Sequence, residues 1–163
     1  MTTQSLLAAS LTSSLHMITQ TLADFTDAEM VARPVPSANH AAWQIGHLTC
    51  SEVELLGAQG AKMPELPPGF AQRFTKETAA SNDPAVFGSK TELLNTFTAV
   101  RNASIAFAQG LSDADLERPT KHEMVRNFAP TTGALLGMAN MHLGMHLGQI
   151  QVIRRKLGRP VMF

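Results

Sequence analysis

Two histidines four residues apart, His142 and His146 in MHLGMHLGQIQVIRRKLGRP (141–160), are the side chains of this sequence best placed to do chemistry. On a helix, positions i and i+4 share a face with Cβ atoms roughly 5–6 Å apart, so both imidazoles reach a single ion. Gln149 lies three residues past His146 and seven past His142, and the spacing assigns it to the same face as a hydrogen-bond partner behind a ligand. The natural third ligand is His47, near the midpoint of a second helical stretch, while His142 and His146 straddle the midpoint of theirs. The three then reach a similar depth whether the two helices run parallel or antiparallel. Imidazoles projecting from facing helices into a bundle are a way to hold a divalent cation. Spacing alone leaves a second reading open, in which each histidine is a core residue with one satisfied hydrogen bond. Burying three unpaired imidazoles is costly, and a shared cation removes much of that cost.

The elements that must position these residues are legible as periodicity, which is helical almost throughout, with no convincing strand. Leu7, Leu11, Leu15, Ile18, Leu22 and Phe25 recur at spacings of three and four, the stripe of a core-facing first helix. After the break RPVPSAN, a second helix runs from about Ala38 to Gly60 with Trp43, His47, Cys50 and Glu54 on one face. Residues 61–88 hold four prolines and read as a long surface connection with a short helical turn. Leu93, Phe97, Val100, Ser104, Phe107 and Leu111 mark a third helix, and Thr131 to about Leu157 a fourth, ended by Gly158 and Pro160. The expected fold is all-α, a four-helix bundle forming a single domain over 1–163, with the long connection between helices 2 and 3. Alternating helix directions bring the loops entering helices 2 and 4 together. That arrangement puts a mobile 61–88 at the opposite end and opens the metal site toward 26–40 and 112–130. TDAEMVARP (26–34) and SDADLERP (112–119) echo one another, each with a Ser/Thr-x-x-acid pattern that starts a helical turn.

Composition narrows the function class. Thirteen basic and thirteen acidic residues leave no net charge, so there is no electrostatic footprint for nucleic acid or an anionic membrane. The only cysteine, Cys50, has no internal disulfide partner, which fits a reducing, cytoplasmic compartment. No stretch approaches the roughly 18 apolar residues of a membrane span, and the N-terminus lacks the positive region of a signal peptide.

NHAAWQIGHL (39–48) together with MHLGMHLGQIQVIRRKLGRP resembles the DinB superfamily, also called DinB/YfiT-like. The resemblance implies a four-helix bundle in which a histidine of helix 2 and an H-x-x-x-H-x-G-Q segment of helix 4 bind a divalent metal. His47, His142 and His146 would be the ligands, and Gly148 and Gln149 match the G-Q that follows. Many relatives carry glutamate directly after the first helix-4 histidine, where this chain has Leu143. A zincin needs that glutamate as general base, so peptidase chemistry is not expected. Several branches of the family resemble transferases or isomerases that use a low-molecular-weight thiol, which needs a metal or positive field to favour the thiolate. The implied function is a metal-dependent enzyme acting on a small molecule, a thiol S-transferase, in a homodimer as in relatives. The alternative is a non-catalytic metal-binding or helical interaction protein in which the metal or the histidines are structural. Imidazole suits Zn, Ni and Fe alike.

Lesser candidates complete the inventory. His40, two turns before His47, is too distant to share the ion; it either lines the pocket or takes a surface role at the helix entrance. Trp43, one turn before His47, is a core anchor or a pocket wall. His122 lies in the connection into helix 4, where exposure is favoured over overhanging the site. Cys50 reads as a buried structural thiol, Glu54 as too far to bind the ion, and Glu52 as pointing away from it. Met138, Met141 and Met145 read as core filler, His16 as solvated, and Arg154, Arg155, Lys156 and Arg159 as a solvated helix end favoured by the dipole.

Overall fold

The structure, a computed structural model, describes residues 1–162; Phe163, the last residue of the expected domain, lies outside the described residues. Four long helices carry the fold: α1 (Thr3–Leu22), α2 (Ala41–Gln59), α3 (Lys90–Gln109) and α4 (Thr132–Lys156). Among the described residues only one isolated bridge, Pro119 with Thr131, resembles strand pairing, so the all-α expectation holds. Each helix starts where a side chain satisfies an orphan N–H: Thr2, His40, Ser89 and Thr131 are the N-caps. α2 stops at Gly60, whose φ of 105° is a left-handed conformation that a β-carbon disfavours. The echoed segments form single-turn helices, Asp27–Met30 and Asp113–Leu116, closed by the reciprocal boxes Thr26/Glu29 and Ser112/Asp115.

Helix direction departs from simple alternation. Lys90, at the start of α3, reaches the carbonyls of Ala23 and Phe25 just past the end of α1, so α1 and α3 are antiparallel. α4 runs parallel to α1, with Asn140 on Ser10 and Gln151 on Thr21. α2 is antiparallel to α4, with Gln59 on Thr132 at one end and Gln44 on His146 toward the other. α2 and α3 are therefore parallel, and α1 packs on α3 and α4 while α2 packs on the same two. The loops entering α2 and α4 consequently lie at opposite ends of the bundle, contrary to the expectation from alternating helices.

Residues 61–89 must travel the length of α2, about 28 Å at 1.5 Å per residue, to start α3 beside the end of α1. They do so as a packed belt, not as the mobile end loop expected. Phe70, Phe74 and Phe87 are buried in the same cluster as Ile45, Leu48 and Phe97. The Phe74 ring lies so close to α2 that a Cβ on Gly46 would sit 2.2 Å from it, which explains a glycine inside that helix. Arg33 ties the last part of the belt down through the carbonyls of Ala79 and Ser81 at 2.6 and 2.7 Å.

The apolar core divides into two clusters, one around Leu48, Phe97 and Leu143 and one around Leu56, Ala108 and Leu135. A charged layer separates them. Arg101 is wholly buried, 3.0 Å from Glu52, which also accepts the Ser104 hydroxyl. The contact is ionic and poorly directed, since no Arg101 nitrogen makes a hydrogen bond of good geometry. Arg154 is likewise buried, on Asp24 at 2.6 Å, which corrects its reading as part of a solvated helix end.

Candidate metal centre

His47 comes from the middle of α2, His142 and His146 from successive turns of α4, and the antiparallel pairing of those helices brings the three rings together. His142 Nε2 lies 3.2 Å from His47 Nε2 and 3.1 Å from His146 Nε2. All three ligand atoms fall within 4.8 Å of one another. His146 is buried, and His47 and His142 are half-buried. Burial, followed by the neighbouring His142, holds His47 down to about 4. Burial and then the other two rings hold His146 down to about 3. His142 is lowered by burial first and then by the Arg101 guanidinium. The three imidazoles are thus neutral near pH 7, the form that offers a lone pair to a cation.

Two contacts fix which nitrogens face inward. Gln44, buried one turn before His47, donates from Nε2 to the Asn39 carbonyl at 2.7 Å, which turns its Oε1 toward His146 Nδ1 at 2.9 Å. His146 therefore donates from Nδ1, and its Nε2 presents a lone pair to the cluster. Trp43 stacks on His47 with ring centroids 4.9 Å apart and planes 11° apart, and its indole N–H donates to Thr75 of the belt at 3.0 Å. With the His146 Nε2 proton excluded, His142 Nε2 would have to donate to His146 while accepting from His47, and one ring nitrogen cannot do both. A cation at the centre resolves this. Nitrogens bound at 2.0–2.1 Å in tetrahedral directions are separated by roughly 3.3 Å, close to the two spacings observed, so the donor set fits a divalent ion.

Other expected site residues fall elsewhere. Gln149 is exposed and makes no hydrogen bond to either histidine among the described residues, a correction to its assignment behind a ligand. At about 100° per residue, Gln149 falls on the solvent side of His142, while His146 falls on the core side. Gln44 takes the role assigned to Gln149. Its signal in the sequence was an amide one turn before His47 on the same helical face. His40 is neither at the surface nor in a pocket: it is fully buried, its Nδ1 accepts the Trp43 N–H at 3.1 Å, and its Nε2–H donates to Ser81 at 3.1 Å. Burial, more than nearby Arg33, holds it down to about 4. Cys50 is half-buried and burial pushes its thiol up to about 11, which suits an inert packing thiol.

A cavity of about 620 Å³ opens from the histidine cluster, with His47 and His142 in its wall. Its other walls are Met138, Met141 and Met145 of α4, Glu54 and Leu55 of α2, and His122, Met124, Val125 and Phe128 of the loop into α4. Access is therefore from 122–128, within one of the two segments expected, and not from 26–40. Met141 and Met145 are 59% and 53% exposed, so they are walls of the cavity and not core filler.

The family model of the DinB superfamily matches residues 10–150, a span that includes all three clustered histidines. A crystal structure of a conserved protein from Enterococcus faecalis is similar over 98% of this chain and 99% of that one, with a TM-score of 0.68 at 19% identity, which shows a shared fold. No curated protein matches this sequence. Among the described residues no helix is long and apolar enough to cross a membrane. The bundle architecture, the histidines of α2 and α4 and a family match over most of the length lead to one conclusion: this chain belongs to the DinB superfamily.

Proposed function

We propose that His47, His142 and His146 bind one divalent ion, Zn, Ni or Fe, and that the chain is a metal-dependent enzyme that adds a low-molecular-weight thiol to a small electrophile. The observation that carries this reading is the convergence of three neutral imidazole nitrogens at the wall of an open cavity. A purely structural ion would be closed off by a fourth protein ligand, whereas a catalytic one keeps an open position. Only histidines converge here, and no carboxylate or thiol joins them among the described residues.

The bound ion would supply a positive centre that favours thiolate over thiol. The chain's own residues do the rest. Gln44 and Trp43 hold two of the rings in place. The methionine wall and Phe128 offer apolar surface to a substrate. Leu143, where many relatives carry glutamate, is fully buried in the core. Amide hydrolysis needs a base at the ion and a proton for the leaving nitrogen, and the cluster has no group for the first task.

Elemental analysis of dialysed wild type and of the three His→Ala variants tests the binding step: one ion per chain is expected in the wild type and well under one in each variant. Full metal content in His146→Ala would refute the ligand set. A panel of small thiols against a chromogenic electrophile tests the chemistry, with metal-dependent addition expected and no peptidase activity. Metal-dependent amidase activity, with thiol rates equal in wild type and His142→Ala, would overturn it.

A further inference from the structure

The charged layer that divides the core lies about one turn from the histidine cluster, and the two meet at a small cavity. Ser51 and Glu52 follow His47 by about one turn on α2, and Met138 and Ala139 precede His142 by about one turn on α4. Antiparallel pairing brings these four residues together, and with His142 they border a pit of about 10 Å³. Space of that order holds one water where polar groups border it. Glu52 is only 4% exposed, and its carboxylate is held from the side of α3: Arg101 lies 3.0 Å from Oε2, and the Ser104 hydroxyl donates to Oε1 at 2.5 Å. The Arg101 charge is felt at His142, which it lowers after burial does. A buried ion pair adds little stability over apolar residues of the same volume, so packing alone does not account for one at this level of the bundle. Of the clustered rings, His146 is held by Gln44 and His47 by Trp43. His142 turns its Nε2 to both neighbours, and no hydrogen bond among the described residues reaches its Nδ1. In a neutral ring that offers a lone pair from Nε2, Nδ1 carries the proton and needs an acceptor.

We propose that Glu52 is a positioning residue of the metal centre: one water in the pit accepts a hydrogen bond from His142 Nδ1–H and donates to the Glu52 carboxylate, which Arg101 and Ser104 hold in place. The proposal rests on the three-histidine reading given above. One helical turn is about 5.4 Å, and two hydrogen bonds of roughly 2.8 Å in series cover the same length. A carboxylate behind a ligating histidine fixes the tautomer and the direction of its ring, and here the pairing is lengthened by one water. Each of the three rings then has its own outer contact: Gln44 for His146, Trp43 for His47 and Glu52 for His142. The buried pair of α2 and α3 thereby joins the site, and it ties α3, which supplies no ligand, to the orientation of α4.

The test uses full-length protein labelled with ¹⁵N-histidine, with and without zinc. In the metal-free wild type, long-range ¹⁵N NMR is expected to show His142 protonated at Nδ1. Arg101→Met combined with Glu52→Leu removes both charges together and leaves no buried ion unpaired. This double variant is expected to bind zinc roughly 10–100-fold more weakly in chelator competition and to move the His142 tautomer balance toward Nε2–H. Ala139→Val fills the pit from α4 and keeps the ion pair; it is expected to lose affinity over the same range and to move the same resonances. Both proteins are checked for wild-type helicity, and Ala139→Val decides the matter if the double variant does not fold. His142 nitrogens that stay at their wild-type positions in the metal-free variants, or zinc bound as tightly as by the wild type, would overturn the proposal. If the wild type binds no zinc while the metal-free His142 resonances still respond to both changes, the hydrogen-bonded chain stands and the ligand set falls.

Discussion

Gln44 tests whether the cluster is oriented for a metal or merely packed. Gln44→Leu removes the acceptor of His146 Nδ1–H and the donor to the Asn39 carbonyl, both from a fully buried position of similar volume. Leaving the His146 donor unsatisfied costs about 1–3 kcal/mol, which should appear as lower stability of the metal-free protein in urea. It also frees His146 to move its proton to Nε2, where a cation would have to displace it. Loss of such a partner behind a ligating histidine lowers metal affinity roughly 10–100-fold, or about 1.4–2.7 kcal/mol. Chelator competition measures this term separately from stability. Gln44→Glu, which keeps an acceptor and adds a negative charge, should hold or raise affinity. If Gln44→Leu loses stability but binds metal as tightly as the wild type, Gln44 is a packing residue and the orientation argument fails.

His40 is lowered from 6.5 to about 4, so the unfolded chain binds its proton first: the stability His40 contributes is complete above pH 6.5 and is lost as pH falls toward 4. The loss is about 1.4 kcal/mol per pH unit, approaching 3 kcal/mol. His40→Asn, which keeps an N-cap acceptor, should flatten the stability of the metal-free protein between pH 6.5 and 5 relative to wild type; equal slopes would refute the assignment. Arg101→Met strands buried Glu52 and should cost about 3–5 kcal/mol in denaturant unfolding, whereas Arg101→Met with Glu52→Leu should recover most of it. A double variant as unstable as the single would show that the pair is not the relevant unit. Gly46→Ala drives a methyl into the Phe74 ring and should lower stability by about 1–3 kcal/mol despite the better helix former. Adding Phe74→Leu should restore part of the loss, as read by thermal melting.

Much of this was legible before the structure. The apolar stripes located all four long helices, because a 3.6-residue period survives in any amphipathic helix, and the i,i+4 histidines declared a common face. Helix direction was not legible, since periodicity is blind to which end of a neighbour a helix meets; α2 and α3 proved parallel, and the belt followed. Glu52 and Arg101 make sense at core positions only as a pair drawn from two helices. Gln149 failed because sharing a face with His142 is compatible with lying on its outer edge. His122 was assigned to the surface and not to the cavity wall it joins, because its partner Glu54 is 68 residues away, brought close by a loop with no periodicity to read.

The order in which the helices pack governs how fast the bundle folds. Helices joined by the connections 23–40 and 110–131, α1 with α2 and α3 with α4, are not among the main packing pairs, which are α1 with α3, α2 with α3, α1 with α4 and α2 with α4. A helical hairpin of the up-and-down kind could zip from its turn, whereas here almost every long contact closes a large loop, as between His47 and His142, 95 residues apart. Folding rates fall as contacts become less local, so this bundle should fold slowly for an all-α domain. Two of the three clustered histidines sit on the last of its long helices to leave the ribosome. Until α4 docks, those histidines have no assembled partner.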